Sequence, residues 1–140
     1  MRPRHTAAVL VCGASLLAPA SAALASYPAA SHEQQAWVRR AAARFVAAEL
    51  SGDGAGVCSV LDARLRGTEH HLTCAQRWDA KLAKLLRTRG GRARLRSQRR
   101  AIPAAAVTVR GNVAWIRLAS PLMGGQNRFR WTENCWMLES

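Results

Sequence analysis

The chain is expected to fold as an α+β domain in which N-terminal helices pack on an antiparallel sheet. Apolar residues recur at helical spacing between Trp37 and Leu86, and beyond Pro103 the period becomes strand-like. Two β-branched runs then flank Gly111-Asn112, a two-residue hairpin signal. Helices first and hairpins afterwards is the order of the α+β class.

The first residues read as an export signal. Arg2 and Arg4 precede an apolar run from Ala7 to Ala18, which ends at Pro19 and is followed by small residues. About twelve apolar residues fall short of the roughly 20 that a membrane-crossing helix needs. Ala20-Ser21-Ala22 and Ala23-Leu24-Ala25 both fit a cleavage site; the second is preferred because Ser26-Tyr27-Pro28 opens a polar, extended start. The expectation is a signal peptide over residues 1–25 and one domain over 26–140, secreted or held at the cell envelope. The net charge of +13 falls by two with the leader arginines and favours anionic surfaces as partners. The basic residues are nearly all Arg and Ala is abundant, as a GC-rich coding sequence tends to give, so part of the charge is compositional.

Ser31 and Gln34 match a capping box, which starts the first helix. Trp37, Val38, Ala41, Ala42 and Phe45 form its apolar stripe, with Arg39, Arg40 and Arg44 toward the other side, and Gly52 supplies a left-handed end. Asp53 is placed to cap a second, short helix that turns Val57, Cys58, Val60 and Leu61 inward. Residues 62–72 lose the periodicity and read as a connection. Thr73 and Gln76 repeat the capping box, and Ala75, Trp78, Leu82, Leu85 and Leu86 make a third helical stripe that Gly90-Gly91 is expected to stop. Arg87, Arg89, Arg92, Arg94, Arg96, Arg99 and Arg100 then lie among small and polar residues and are expected in a mobile loop. Val107 to Arg110 and Val113 to Leu118 form the hairpin. Arg128 to Thr132 alternates basic and aromatic residues as a strand with one wet face should, and Cys135 to Leu138 makes the last strand.

Phe45-Val46-Ala47-Ala48, then Gly52-Asp53, then Cys58-Ser59-Val60-Leu61 resembles the first two helices of secreted bacterial members of the nuclear transport factor 2-like superfamily. Arg130-Trp131 leading through a turn to Cys135-Trp136-Met137-Leu138 is similar to that family's closing hairpin. The resemblance covers roughly residues 33–139. It implies a cone-like fold, a curved antiparallel sheet wrapped against helices with a pocket between them, found both in isomerases, dehydratases and cyclases of apolar molecules and in binding domains without catalysis. Fold alone does not choose between these. The family's catalytic members place a Tyr or His with an Asp in the pocket; here the only Tyr is Tyr27 and no strand carries an inward carboxylate or His. No catalytic residue is carried across.

Cys58 and Cys74 are expected to form a disulfide, since export leads to an oxidising compartment and both sit on inward-facing parts of helical patterns. Such a closure would contribute roughly 3 kcal/mol. Cys135 is left over, as a buried thiol or as half of an intermolecular or alternative bond. Glu69-His70-His71 could suggest a metal, but adjacent histidines in a strand or loop point apart and the Cys spacing matches no zinc pattern, so neither metal nor cofactor is expected. Asp79 reads as an ion-pair partner of Arg or Lys rather than a general base.

Trp37, Phe45 and Trp78 from the helices, with Trp115, Phe129 and Trp131 from the strands, are the candidates for lining the core or a pocket. The arginines from Arg87 to Arg100 are the candidate contact surface for an anionic envelope polymer or an acidic protein. Nucleic acid is disfavoured because the run has no interleaved aromatic residues to stack bases. A cationic membrane-active role is disfavoured because the charge is not expected on an amphipathic helix. The expected function is a non-enzymatic domain binding an envelope partner or a small apolar ligand. The alternative is a small-molecule isomerase, cyclase or hydrolase using the same pocket.

Overall fold

The computed structural model describes residues 31–122, 127–132 and 135–139. The leader expected at residues 1–25 lies outside them. The described chain is α+β: helices α1 (His32–Ser51), α2 (Gly54–Val60), α3 (Cys74–Arg87) and α4 (Arg89–Ala101) precede strands β1 (Val107–Arg110), β2 (Val113–Ile116), β3 (Arg128–Thr132) and β4 (Cys135–Glu139). The strands pair with their sequence neighbours in one antiparallel sheet of order β1-β2-β3-β4.

The local signals act where expected. Ser31 Oγ accepts from the Gln34 amide, Gly52 closes α1 at φ 72°, and Asp53 caps α2 through the Gly56 amide. Thr73 and Gln76 complete a reciprocal capping box on α3. At Ser31 the reciprocity fails, because the Gln34 side chain turns inward and its Oε1 finds no partner. Gly111 takes φ 59° and brings Arg110 opposite Val113, so the hairpin loop is the two residues its sequence announces.

α1 carries the centre of the core. Val38, Ala42, Phe45 and Val46 are fully buried on it and meet Ala114, Ile116, Phe129 and Leu138 from the sheet. Trp37 stacks on Trp131 at 5.4 Å, Trp131 meets Trp136 edge-on, and Phe45 meets Trp78 edge-on at 5.8 Å. Cys58 and Cys74 are disulfide-bonded and tie α2 to α3. Asp79 has no ion-pair partner among the described residues: its Oδ1 accepts from the Gly54 amide at 2.9 Å, binding α3 to the start of α2. Cys135 is disulfide-bonded rather than a buried free thiol.

The arginine-rich stretch is a helix, not a loop. α3 ends at Arg87 and α4 begins at Arg89, so Gly90-Gly91 sits in a first turn instead of stopping a helix. Thr88 makes the corner: its hydroxyl accepts from the Gly91 amide and donates to the Leu85 carbonyl. A Cβ at position 91 would collide with that same carbonyl, so glycine lets α4 start close against the end of α3. Gly91, Leu95, Gln98 and Ile102 follow one another at helical spacing and are all buried. Gln98 belongs on this stripe because its Nε2 donates to the Pro121 carbonyl at 2.8 Å. Arg, Ala, Leu and Gln are good helix formers, so propensity agrees with packing.

Candidate anion-binding surface

With Gly91, Leu95, Gln98 and Ile102 inward, 100° per residue puts Arg89, Arg92, Arg96, Arg99 and Arg100 together on a solvent-facing arc about 100° wide. They span about 16 Å of helix. All five are exposed. Among the described residues no carboxylate lies within ion-pair distance of any of them. Arg92 is anchored differently, donating from Nε to the Leu86 carbonyl at 2.6 Å. Arg87, Lys81 and Lys84 on α3 are exposed as well, and Lys81 Nζ lies 5.0 Å over the Trp78 ring.

Arg94 lies on the other flank of α4, where its charge reaches Glu49. Glu49, near the end of α1, is 3% exposed, and its Oε2 has no hydrogen-bond partner. Burial pushes its pKa up to about 7, against the opposing pull of Arg94. It sits four residues beyond Phe45 on the buried side of the helix.

The sheet uses its arginines in the opposite way. Arg128 and Arg130 on β3 both donate to Glu139 on β4, at 2.7–2.9 Å. The bridge Leu61↔Leu138 and the Asp62 amide on the Leu138 carbonyl bring Arg64 to 3.7 Å from the same carboxylate. Burial pushes the Glu139 pKa up, but the hydrogen bonds and charges of Arg128 and Arg130 outweigh it and hold the carboxyl below its ordinary value.

The expected core or pocket residues divide. Phe45 and Phe129 are fully buried, and Trp37, Trp78 and Trp131 are half-buried against the core. Trp115 is the exception. It lies between inward Ala114 and Ile116 on β2, so strand alternation turns it to the outer face of the sheet, 41% exposed. There it borders an open depression of about 330 Å³ that also involves Thr108, Arg117, Leu118 and Asn127.

His70 and His71 are exposed in a turn with positive φ, and among the described residues no cluster of His, Cys, Asp and Glu could hold a metal ion. No described helix is long and apolar enough to cross a membrane. Comparison of the chain with protein-family models, with curated proteins and with solved structures finds no match to any of them.

Proposed function

We propose that this chain is an extracytoplasmic, non-enzymatic binding domain of the nuclear transport factor 2-like type, and that it docks on an anionic envelope polymer through the arginine face of α4. The observation that carries the reading is five exposed arginines on one helix face with no carboxylate in ion-pair reach among the described residues. The helix is seated by Leu95, Gln98 and Ile102, so its guanidinium groups are presented on a fixed backbone and less ordering entropy opposes binding than for a mobile loop. Its apolar stripe is already used in the core, so the helix has no second apolar face to sink into a bilayer. A polymer of repeated negative charge matches a row of cations at one to two turns' spacing.

A catalytic reading draws less support. The acid and base that a pocket would need, Asp79 and His71, are both exposed, and Asp79 is occupied with the Gly54 amide. A small apolar ligand between helices and sheet would compete for the space that Phe45, Phe129 and Leu138 fill.

The test is retention on an immobilised anionic polysaccharide, with polyglutamate as the acidic-protein comparison. The variant replaces Arg89, Arg96, Arg99 and Arg100 by Gln and keeps Arg92, which caps a carbonyl. Wild type should need well above physiological salt for elution, and the variant should pass through at about 0.15 M, where the screening length is about 8 Å. Tm should be unchanged. Elution of both proteins at the same salt would overturn the reading, and stronger retention on polyglutamate would transfer it to an acidic protein.

A further inference from the structure

The sheet's outer face carries a second candidate site, independent of α4. Along one row, Thr108 on β1, Trp115 on β2 and Arg128 on β3 are direct cross-strand partners. Trp115 is the only exposed aromatic side chain among the described residues. An exposed indole has a definite cost in water, since its apolar faces go unburied, and here the ring stands beside a recess.

The recess, about 330 Å³, lies at the low end of the size range of small-molecule sites and is bordered by groups of two kinds. Trp115 and Leu118 offer apolar surface. Arg117 offers a cation, and Thr108 and Asn127 offer polar side chains. Arg117 follows Trp115 by two residues, and its guanidinium has no ion-pair partner among the described residues. Asn127 is held in place, with Oδ1 accepting from the Leu122 amide at 2.7 Å and its carbonyl accepting from the Ile116 amide. That leaves the Asn127 side-chain NH2 as a donor.

We infer that this recess binds a nucleotide unit, with the base stacked on Trp115 and the phosphate held by Arg117. A planar ring matches the indole face, and base–aromatic stacking is tolerant of base identity. A phosphate matches a planar fork of donors with no carboxylate of its own. Charge also argues against a second copy of this chain as the occupant. Arg110, Arg117, Arg128 and Arg130 share this face; Glu139 is already engaged with two of them, and Asp62 beside it acts on Arg130 and Arg64. Two such faces would meet as like charges. The absence of aromatic residues from the α4 arginine run therefore does not settle nucleotide recognition, because the sheet supplies an aromatic elsewhere.

The test is calorimetric titration with adenosine 5′-monophosphate, adenosine and ribose 5-phosphate. It is done on the variant with Arg89, Arg96, Arg99 and Arg100 replaced by Gln, so that phosphate binding on that face of α4 contributes little. The monophosphate should bind at least about tenfold more tightly than either fragment. Trp115→Ala and Arg117→Gln should each weaken it about tenfold, and Trp115→Phe should restore most of the loss. Tetradeoxyadenylate distinguishes the sources of the same chemistry: tighter Trp115-dependent binding than the monophosphate identifies a single strand, and equal binding identifies the free nucleotide. Ribose 5-phosphate binding as tightly as the monophosphate, or affinity indifferent to Trp115→Ala, would overturn the site. So would a wild-type dimer in sedimentation that Trp115→Ala dissolves, which would make the face a contact between copies.

Discussion

The helical layer and the sheet each combine arginines with one buried carboxylate, and they do so in opposite ways. In the sheet, Glu139 is clamped by Arg128 and Arg130, so both guanidinium groups are held and the pair of strands is locked in register. In the helices, Glu49 is buried with one oxygen unpartnered, while the arginines of α4 face water. Net charge alone says nothing about which cations are available to a partner. Pairing decides it, and on this chain pairing leaves α4 available and holds β3.

The largest expected consequence is a stability profile whose two limbs belong to two different carboxylates. Glu49 has its folded pKa raised from an ordinary 4.5 to about 7. The unfolded chain releases that proton first, so its contribution is fully present below pH 4.5 and is lost as the pH rises to about 7. The loss is about 3 kcal/mol. Glu49→Gln should remove this slope, leaving the variant more stable than wild type at pH 8 and equal to it near pH 4 in urea titrations. An unchanged slope in the variant would mean that Glu49 is solvated, and the contrast with Glu139 would collapse.

Glu139 has the opposite sign. Its folded pKa is lowered, so its stabilisation is present above the unfolded value and is lost as the pH falls through the folded one. Glu139→Gln should lower Tm by about 5 °C at pH 7 and flatten the acid limb. It should also free Arg128 and Arg130, so the destabilised variant should elute from an anionic column at higher salt than wild type. Lower or equal elution would show that those two arginines are not held back by Glu139.

How far the sequence reveals these two regions follows from the range of the forces involved. The caps at Ser31, Asp53 and Thr73 and the turn at Gly111 depend on neighbours in the chain and are legible from it. α4 is harder to see because its inward stripe uses Gly91 and Gln98, residues that become core only where Leu85 crowds the one and the Pro121 carbonyl satisfies the other. Two signals were present without being decisive. Strand parity sets Trp115 opposite in sense to Ala114 and Ile116, and helical spacing sets Glu49 four residues beyond Phe45 on the apolar stripe. The Glu139 clamp needs the β3–β4 register, which no local pattern supplies.

The smallest effect is the sharpest discriminator, because it compares one arginine from each region. Arg96 is exposed on α4 with no carboxylate in reach among the described residues, so Arg96→Gln should alter stability by less than about 0.5 kcal/mol. It should also take about one from the slope of log affinity against log salt, as loss of one counterion-releasing contact does. Arg128→Gln should do the reverse, lowering Tm while changing the salt slope less, since its guanidinium is held against Glu139. If both variants lowered the slope equally, the partner would be reading total charge, and the orientation of α4 would carry no information.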